Sequence, residues 1–419
     1  MNAWRWVPTL YFAQGLPYAI AMTVSVVMYK TLGISNTEIA LYTSWLYLPW
    51  VVKPLWSPVV ELFGTKRGWI TAMQLAIGTS LALVALTLPA GRFFQVSLAM
   101  LWLMAFSSAT HDIAADGFYM LALDRHRQAG FVGLRSAFWR VAAITGQGGV
   151  VYAAGELGDF TGDVAFAWMV VFLALGGLFG ALFAWHRLAL PLPANDHPVA
   201  GQPEPMKAFV KTFADFFRRE RIASILAFLL LFRFAESQAL KLVTPFLLDP
   251  PASGGLGLTT AEVGIAYGTF GVVALTAGGI LGGLAIARWG LDRCLWPMTF
   301  AIHIPNLVFL YLAWALPQSF AVVCALLALE QFGYGFGFAA FLMFMIHAAS
   351  GESQTAHYAI CTGFMALGMM LPGMWSGWLQ EQLGYARFFG WVCIATLPAF
   401  AVVAFVRIPK GFGSKEPRH

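Results

Sequence analysis

Ser108, Asp112, Asp116 and Tyr119 recur at intervals of four, four and three residues in SSATHDIAADGFYML, the spacing that stacks side chains along one face of a helix. The stretch follows LAMLWLMAF, so both carboxylates lie in a run otherwise fit for hydrocarbon. A charge at bilayer depth costs about 2.5–3.5 kcal/mol on insertion scales, so such residues face a protein interior and have partners. Two carboxylates one turn apart also repel each other. Two chemistries meet these constraints: a carboxyl that carries a proton, or a structural pair with a cation such as Arg135 or Arg140 on the next apolar run.

Lys53, Arg140, Arg233, Glu236, Lys241 and Glu330 also fall in apolar runs, and with the two aspartates they sum to zero formal charge. Lys53, in LPWVVKPLWSPVVE, can bind an anionic solute or neutralise Asp112 or Asp116, and it shares a helix face with Ser57 and Glu61. Arg233 and Glu236 stand three apart and can pair within one helix, leaving Lys241 nearer the external end. Glu330, in EQFGYGFGFAAF, has no cation in its own segment and is the carboxyl most open to protonation. The glycines that follow it have the letters of a phosphate loop, but no strand precedes them, so they read as flexibility or close packing. Gly278 with Gly282, Gly279 with Gly283 and Gly373 with Gly377 point to close helix contacts.

Other chemistries find little support. His111, His303, His347 and His357 lie in different apolar runs without HExxH spacing, and Cys294, Cys324, Cys361 and Cys393 form no CxxC, so no metal is expected. No strand–turn–helix context exists for a G-x-S-x-G nucleophile. No cofactor and no enzymatic activity are expected.

The elements that position these residues follow from composition. The chain is 59% apolar and 11% charged, against about 45–50% and about 25% in soluble proteins. It reads as an all-α integral membrane protein whose partner is the lipid bilayer. Twelve apolar runs approach the length of about 20 residues needed to cross a bilayer. The first begins almost at once and lacks a small-residue cleavage site, so it reads as a retained helix. The formal charge of +5 fits basic loops on the cytoplasmic side and calls for no nucleic acid. Lys and Arg concentrate on the loops and tails that are cytoplasmic if both termini are inside, as the positive-inside rule requires.

The single long polar stretch, RLALPLPANDHPVAGQPEPMKAFVKTFADFFRRER, divides the chain into six runs and six. The expected division is a six-helix bundle over 1–188, a cytoplasmic linker over 189–220 and a second six-helix bundle over 221–419. Phe209, Phe213, Phe216 and Phe217 recur at helical spacing among basic residues of the linker, as in an amphipathic helix lying on an anionic membrane face. A solvated linker is the alternative. The halves resemble each other. GISNTEIALY faces GLTTAEVGIAY, with Gly33 opposite Gly257 and capping boxes at Ser35–Glu38 and Thr259–Glu262. One run later Gly64 and Arg67 face Gly290 and Arg293, and FAQ, ending at Gln14, faces FAE, ending at Glu236. Such a repeat in one orientation indicates internal duplication.

With this architecture the chain resembles the major facilitator superfamily. PVVELFGTKRG and GGLAIARWGLDR are similar to its signature loop, which implies a conformational latch at Glu61, Lys66, Arg67, Arg288 and Arg293; the first copy has Glu61 where the family usually has Asp. Within that superfamily, YFAQGLPYAI, LPWVVKPLWSPVVE, SSATHDIAADGFY, EQFGYGFGFAAF and SQTAHYAICTGFMALG resemble the AmpG muropeptide permeases and the related acetyl-CoA transporters. The fourth helix of that branch typically has Gln where this chain has His111.

The resemblance implies a monomeric permease of the cell inner membrane. It would import a carboxylate-bearing amino sugar or glycopeptide with protons, by rocking of two halves about a midplane site. The proton-coupling candidates are Asp112, Asp116, Glu330 and Glu236. The substrate-binding candidates are Gln14, Trp45, Lys53, Tyr119, Arg140, Arg233, Lys241 and Gln331, and Tyr42, Trp50, Trp139 and Trp375 offer flat faces for sugar rings unless they face lipid. A siderophore or acyl-CoA carrier is the rival of the same fold. A membrane-embedded acyltransferase, with its foothold at His111 and Asp112, is the rival of another class.

Overall fold

The computed structural model describes residues 3–123, 125–193, 196, 205–350 and 354–414; within these, the side chains of 58, 61, 62, 125–130, 132, 133, 136, 205–209, 212 and 354–356 are outside the description. The described chain is helical: α1 Ala3–Thr31, α2 Asn36–Trp45, α3 Leu48–Leu62, α4 Lys66–Thr87, α5 Phe93–Ala122, α6 Arg125–Ile144, α7 Val151–Thr161, α8 Val164–Ala189, α9 Pro205–Phe217, α10 Ile222–Leu248, α11 Thr260–Trp289, α12 Leu291–Ala315, α13 Phe320–Ala349, α14 Gln354–Leu383 and α15 Tyr385–Phe405. Among the described residues, 10 helical stretches are long and apolar enough to cross a membrane. The second and fifth expected spans are helical but fall short for local reasons. The second divides between α2 and α3 at Leu46–Tyr47, just before Pro49, whose ring suits the start of a helix and not its interior. The fifth carries Arg125, Arg127, Arg135 and Arg140 in α6.

The chain forms two compact units, one of residues 1–33 and 52–205, the other of 34–51 and 206–419. In the first, α1 packs on α5 and α6, and α4 on α5 and α8. Its core is aromatic and aliphatic, around Trp6, Leu10, Tyr11 and Phe118. In the second, α13 packs on α11 and α12, and α14 on α2 and α10. A stacked phenylalanine core joins Phe228, Phe232 and Phe341.

The duplication has a backbone signature. Gly33 and Gly257 have φ of 83° and 68°, and Gly64 and Gly290 have 71° and 81°, a region that side chains with a Cβ rarely enter. Ser35 Oγ accepts from Glu38 N at 3.2 Å, and Thr259 with Glu262 forms a complete capping box. Segment 34–51 belongs by sequence to the first repeat yet packs in the second unit, where Asn36 Nδ2 donates to Gln380 Oε1 at 2.7 Å and Thr37 Oγ1 donates to Glu381 Oε2 at 2.6 Å.

Glycine spacing is used for packing. A Cβ at Gly335 would run into the carbonyl oxygen of Leu275, and one at Gly278 into that of Phe332, so α11 and α13 approach backbone to backbone. The linker helix divides its phenylalanines between protein and surface. Phe216 is fully buried in the phenylalanine core with Phe213 packed against it, and Arg219 donates to the carbonyls of Ala348 and Ser350 at the end of α13. Phe217 of the linker helix is exposed, so protein takes up only part of the apolar face. The side chain of Phe209 lies outside the described residues.

Candidate functional site

Polar groups of the first unit converge on α5. Asp112 is nearly buried, and its Oδ2 lies 3.6 Å from Lys53 Nζ of α3. One turn on, Asp116 Oδ1 accepts from Arg135 Nη2 of α6 at 2.8 Å and from Tyr11 Oη of α1 at 3.2 Å. The Arg135 guanidinium also lies 4.4 Å from the Tyr11 ring centre and 5.0 Å from that of Tyr119. Each aspartate thus has its own cation, which removes most of the mutual repulsion that the spacing alone implies. Of the two arginines on the next apolar run, Arg135 is the partner; Arg140 is half-buried, and no carboxylate among the described residues is within ion-pair distance of it. Gln14 Oε1 is buried with no hydrogen-bond partner among the described residues.

His111 is turned away from Asp112. Its Nε2 accepts from Gln74 Nε2 of α4 at 3.0 Å, Gln74 Oε1 accepts from His186 Nδ1 of α8 at 3.0 Å, and His186 Nε2 lies 3.0 Å from Thr9 Oγ1 of α1. His111, Gln74 and His186 have no exposed surface. A His–Asp catalytic dyad is therefore not assembled here. The sequence offered a signal for this chain, a lone Gln and a lone His inside apolar runs, but not its connectivity.

The second unit holds a different balance. α10 is interrupted at Phe232–Arg233, and Glu236 sits in the first turn of the segment that resumes at Phe234, where the helix dipole favours an anion. Arg233 donates to Glu236 Oε2 from Nε at 3.0 Å and to Oε1 from Nη2 at 2.5 Å, and to Tyr334 Oη at 2.6 Å. The guanidinium stacks 4.7 Å from the Phe338 ring centre. This pairing within the helix is what the spacing of three implies. Lys241 is buried too, but it donates to Thr43 Oγ1 at 3.0 Å and lies 5.2 Å from the Tyr47 ring centre, with no carboxylate among the described residues within ion-pair distance. Glu330 is its converse: buried, accepting from Gln331 Nε2 at 2.8 Å, with no described cation in reach. Gln331 also lies 3.4 Å from Tyr267 Oη. Glu236 and Tyr267 both lie within Coulombic range of Glu330. Thr43, Tyr47, Tyr267 and Tyr334 carry no charge and lack a spacing that would mark them in sequence.

The aromatic candidates divide. Trp45, Trp139, Trp375 and Tyr42 are exposed over a third or more of their surface, whereas Trp50 is buried. The residues expected to form a latch have individual environments. The side chain of Glu61 lies outside the described residues. Lys66 N and Arg67 N, opening α4, donate to the carboxylate of Asp196 at 2.8 and 3.1 Å, an N-terminal cap supplied by the linker. Arg67 Nη2 also donates to the carbonyl of Arg187. Arg288 stacks 5.3 Å from the Trp289 ring centre, and Arg293 is exposed.

The family model described as Major Facilitator Superfamily matches residues 9–356. The anhydromuropeptide permease of Escherichia coli (strain K12) is 25% identical over 410 residues, covering 95% of this chain and 78% of the permease. A crystal structure of the nucleoside transporter NupG superposes with a TM-score of 0.70 at 17% identity over 98% of this chain and all of the other. A D-xylose-proton symporter does so with a TM-score of 0.70 at 13% identity, covering 98% of each chain. These likenesses in structure establish the fold, and the family match spans most of the sequence that builds it. The chain, a multi-pass membrane protein of duplicated helical repeats, belongs to the Major Facilitator Superfamily of secondary transporters.

Proposed function

We propose that the protein imports an anionic amino-sugar or muropeptide-like solute across the cell inner membrane, coupled to protons, by alternating access. The observation that carries this reading is the pair of groups in the second unit that have no counter-ion among the described residues. Lys241 is a buried amino group served by a hydroxyl and a ring, and Glu330 a buried carboxyl served by an amide. A buried charge without a counter-ion is costly. A solute carboxylate at Lys241 and a proton on Glu330 would relieve each cost. The likeness to the anhydromuropeptide permease supports this solute class.

In this reading Glu330 and Asp112 carry protons, Asp116 is held by Arg135 and Tyr11, and Glu236 is held by Arg233. Lys241, Lys53 and Arg140 serve the anion, with Gln331, Gln14 and Tyr119 as polar contacts and Trp45 as a sugar-facing ring. Lys66, Arg67, Arg288 and Arg293, with Glu61, form the latch of the cytoplasmic loops. The bundles span 1–188 and 221–419, joined by a cytoplasmic linker over 189–220, with both termini cytoplasmic and the protein monomeric.

Uptake of labelled anhydromuropeptide into proteoliposomes tests the reading. Accumulation is expected when the outside is acidic relative to the lumen, with equilibration only when the gradient is collapsed. No uptake under either condition refutes the solute. A chemically altered product would instead favour an embedded acyltransferase.

A further inference from the structure

The chain Thr9–His186–Gln74–His111 joins four helices, α1, α8, α4 and α5, through three contacts of 3.0 Å each. It touches none of the ion pairs described above, and its members are polar groups in helices that could pack through apolar side chains alone. With the Gln74 amide nitrogen toward His111 and its oxygen toward His186, each imidazole is held in one neutral tautomer. A polar chain whose two imidazoles and amide are fully buried contributes specificity of packing rather than net attraction.

What it specifies is rotation. Successive residues of a helix are about 100° apart, so holding the His111 ring on Gln74 sets the direction of Asp112. For a carboxylate about 5 Å from the helix axis, a 20° turn of α5 is a displacement of about 1.7 Å. That is large beside the 3.6 Å between Asp112 and Lys53. α4 and α5 meet along much of their length, and apolar contact by itself is tolerant of such a turn.

We infer that Gln74 and His186 are positioning residues which, through His111, set the rotation of α5 and so hold Asp112 against Lys53. The inference rests on the proposed function in treating Asp112 as a working carboxyl, but its test needs no solute. Dicyclohexylcarbodiimide modifies protonated carboxyls in membrane proteins, and peptide mass spectrometry reads each site separately. Purified full-length protein is labelled alongside Gln74→Leu and His186→Phe, which break the chain at two places without touching Asp112. A carboxylate that loses its cation is neutral more of the time. Labelling of Asp112 is expected to rise about threefold or more in both variants, the order of a loosened part-buried ion pair, while Glu330, in the other unit, labels at the original rate.

Equal labelling of Asp112 in all three proteins, at whatever level, overturns the proposal. So does a parallel rise at Glu330, which would mark general loosening, or loss of folded protein in both variants, which would make the chain a requirement of the fold. Failed muropeptide uptake together with shifted Asp112 labelling would remove the solute and leave the positioning role; working uptake with unshifted labelling would do the reverse.

Discussion

The Arg233–Glu236 pair allows the second unit to be probed quantitatively. Both side chains are nearly buried, at 7% and 5% exposure, and the guanidinium makes two contacts to the carboxylate and one to Tyr334. Removing one partner strands the other in a medium that solvates it poorly, at a cost of about 3–5 kcal/mol, whereas replacing both by apolar groups of similar volume is often neutral or better. Arg233→Met and Glu236→Leu should each lower the melting temperature, by about 6–20 °C for a cooperative unit of this size. The double variant should recover most of that loss. Tryptophan fluorescence on heating in detergent reads the cycle, since the chain has 16 tryptophans. Additive losses, with no recovery in the double variant, would refute a buried bidentate pair. The same double variant separates structure from transport: if Glu236 is a counter-ion, uptake survives, and if it carries protons, accumulation is lost at full stability.

Lys241→Met should raise KM for the anionic solute about ten- to a hundred-fold, or about 1.4–2.8 kcal/mol, with little change in melting temperature; an unchanged KM removes Lys241 from the site. Asp112→Asn and Glu330→Gln should each abolish gradient-driven accumulation while folded protein remains in the membrane, measured by uptake beside size-exclusion profiles. Misfolding of both would mark the two carboxyls as structural. Gly335→Ala should destabilise by about 1–3 kcal/mol, because the new methyl meets the Leu275 carbonyl, a backbone group that cannot rotate away. Gly283→Ala, with nothing within 4 Å of the added atom, should be neutral or mildly stabilising on the same thermal assay.

Much of the site could be read as a list of residues but not as a set of partners. The acidic face of α5 followed from spacing, because four, four and three fix angles on any helix. Which cation served which aspartate did not: Lys53 and Arg135 come from α3 and α6, and only packing brings them to Asp112 and Asp116. Arg233 with Glu236 was legible because both lie on one helix. The break at Phe232–Arg233 that seats Glu236 in a first turn was not, since no proline or glycine marks it. The linker helix shows the converse case. Its phenylalanine periodicity identified an apolar face, but periodicity does not say what covers each residue: Phe216 is taken up by the second unit's core, whereas Phe217 is exposed.

By itself the sequence determined the class of solvent, the helical class and the duplication, because these depend on composition, run length and local rules. The glycines at 33, 64, 257 and 290 and the caps at Ser35 and Thr259 need only their near neighbours to act. Tertiary structure decided everything that depends on distance between helices: the pairing of the aspartates, the isolation of Lys241 and Glu330, and the turn of His111 toward Gln74. The physical reason is that a buried charge or imidazole takes whatever donor or acceptor packing places within about 3 Å, and sequence spacing carries no information about that neighbour once it lies on another helix.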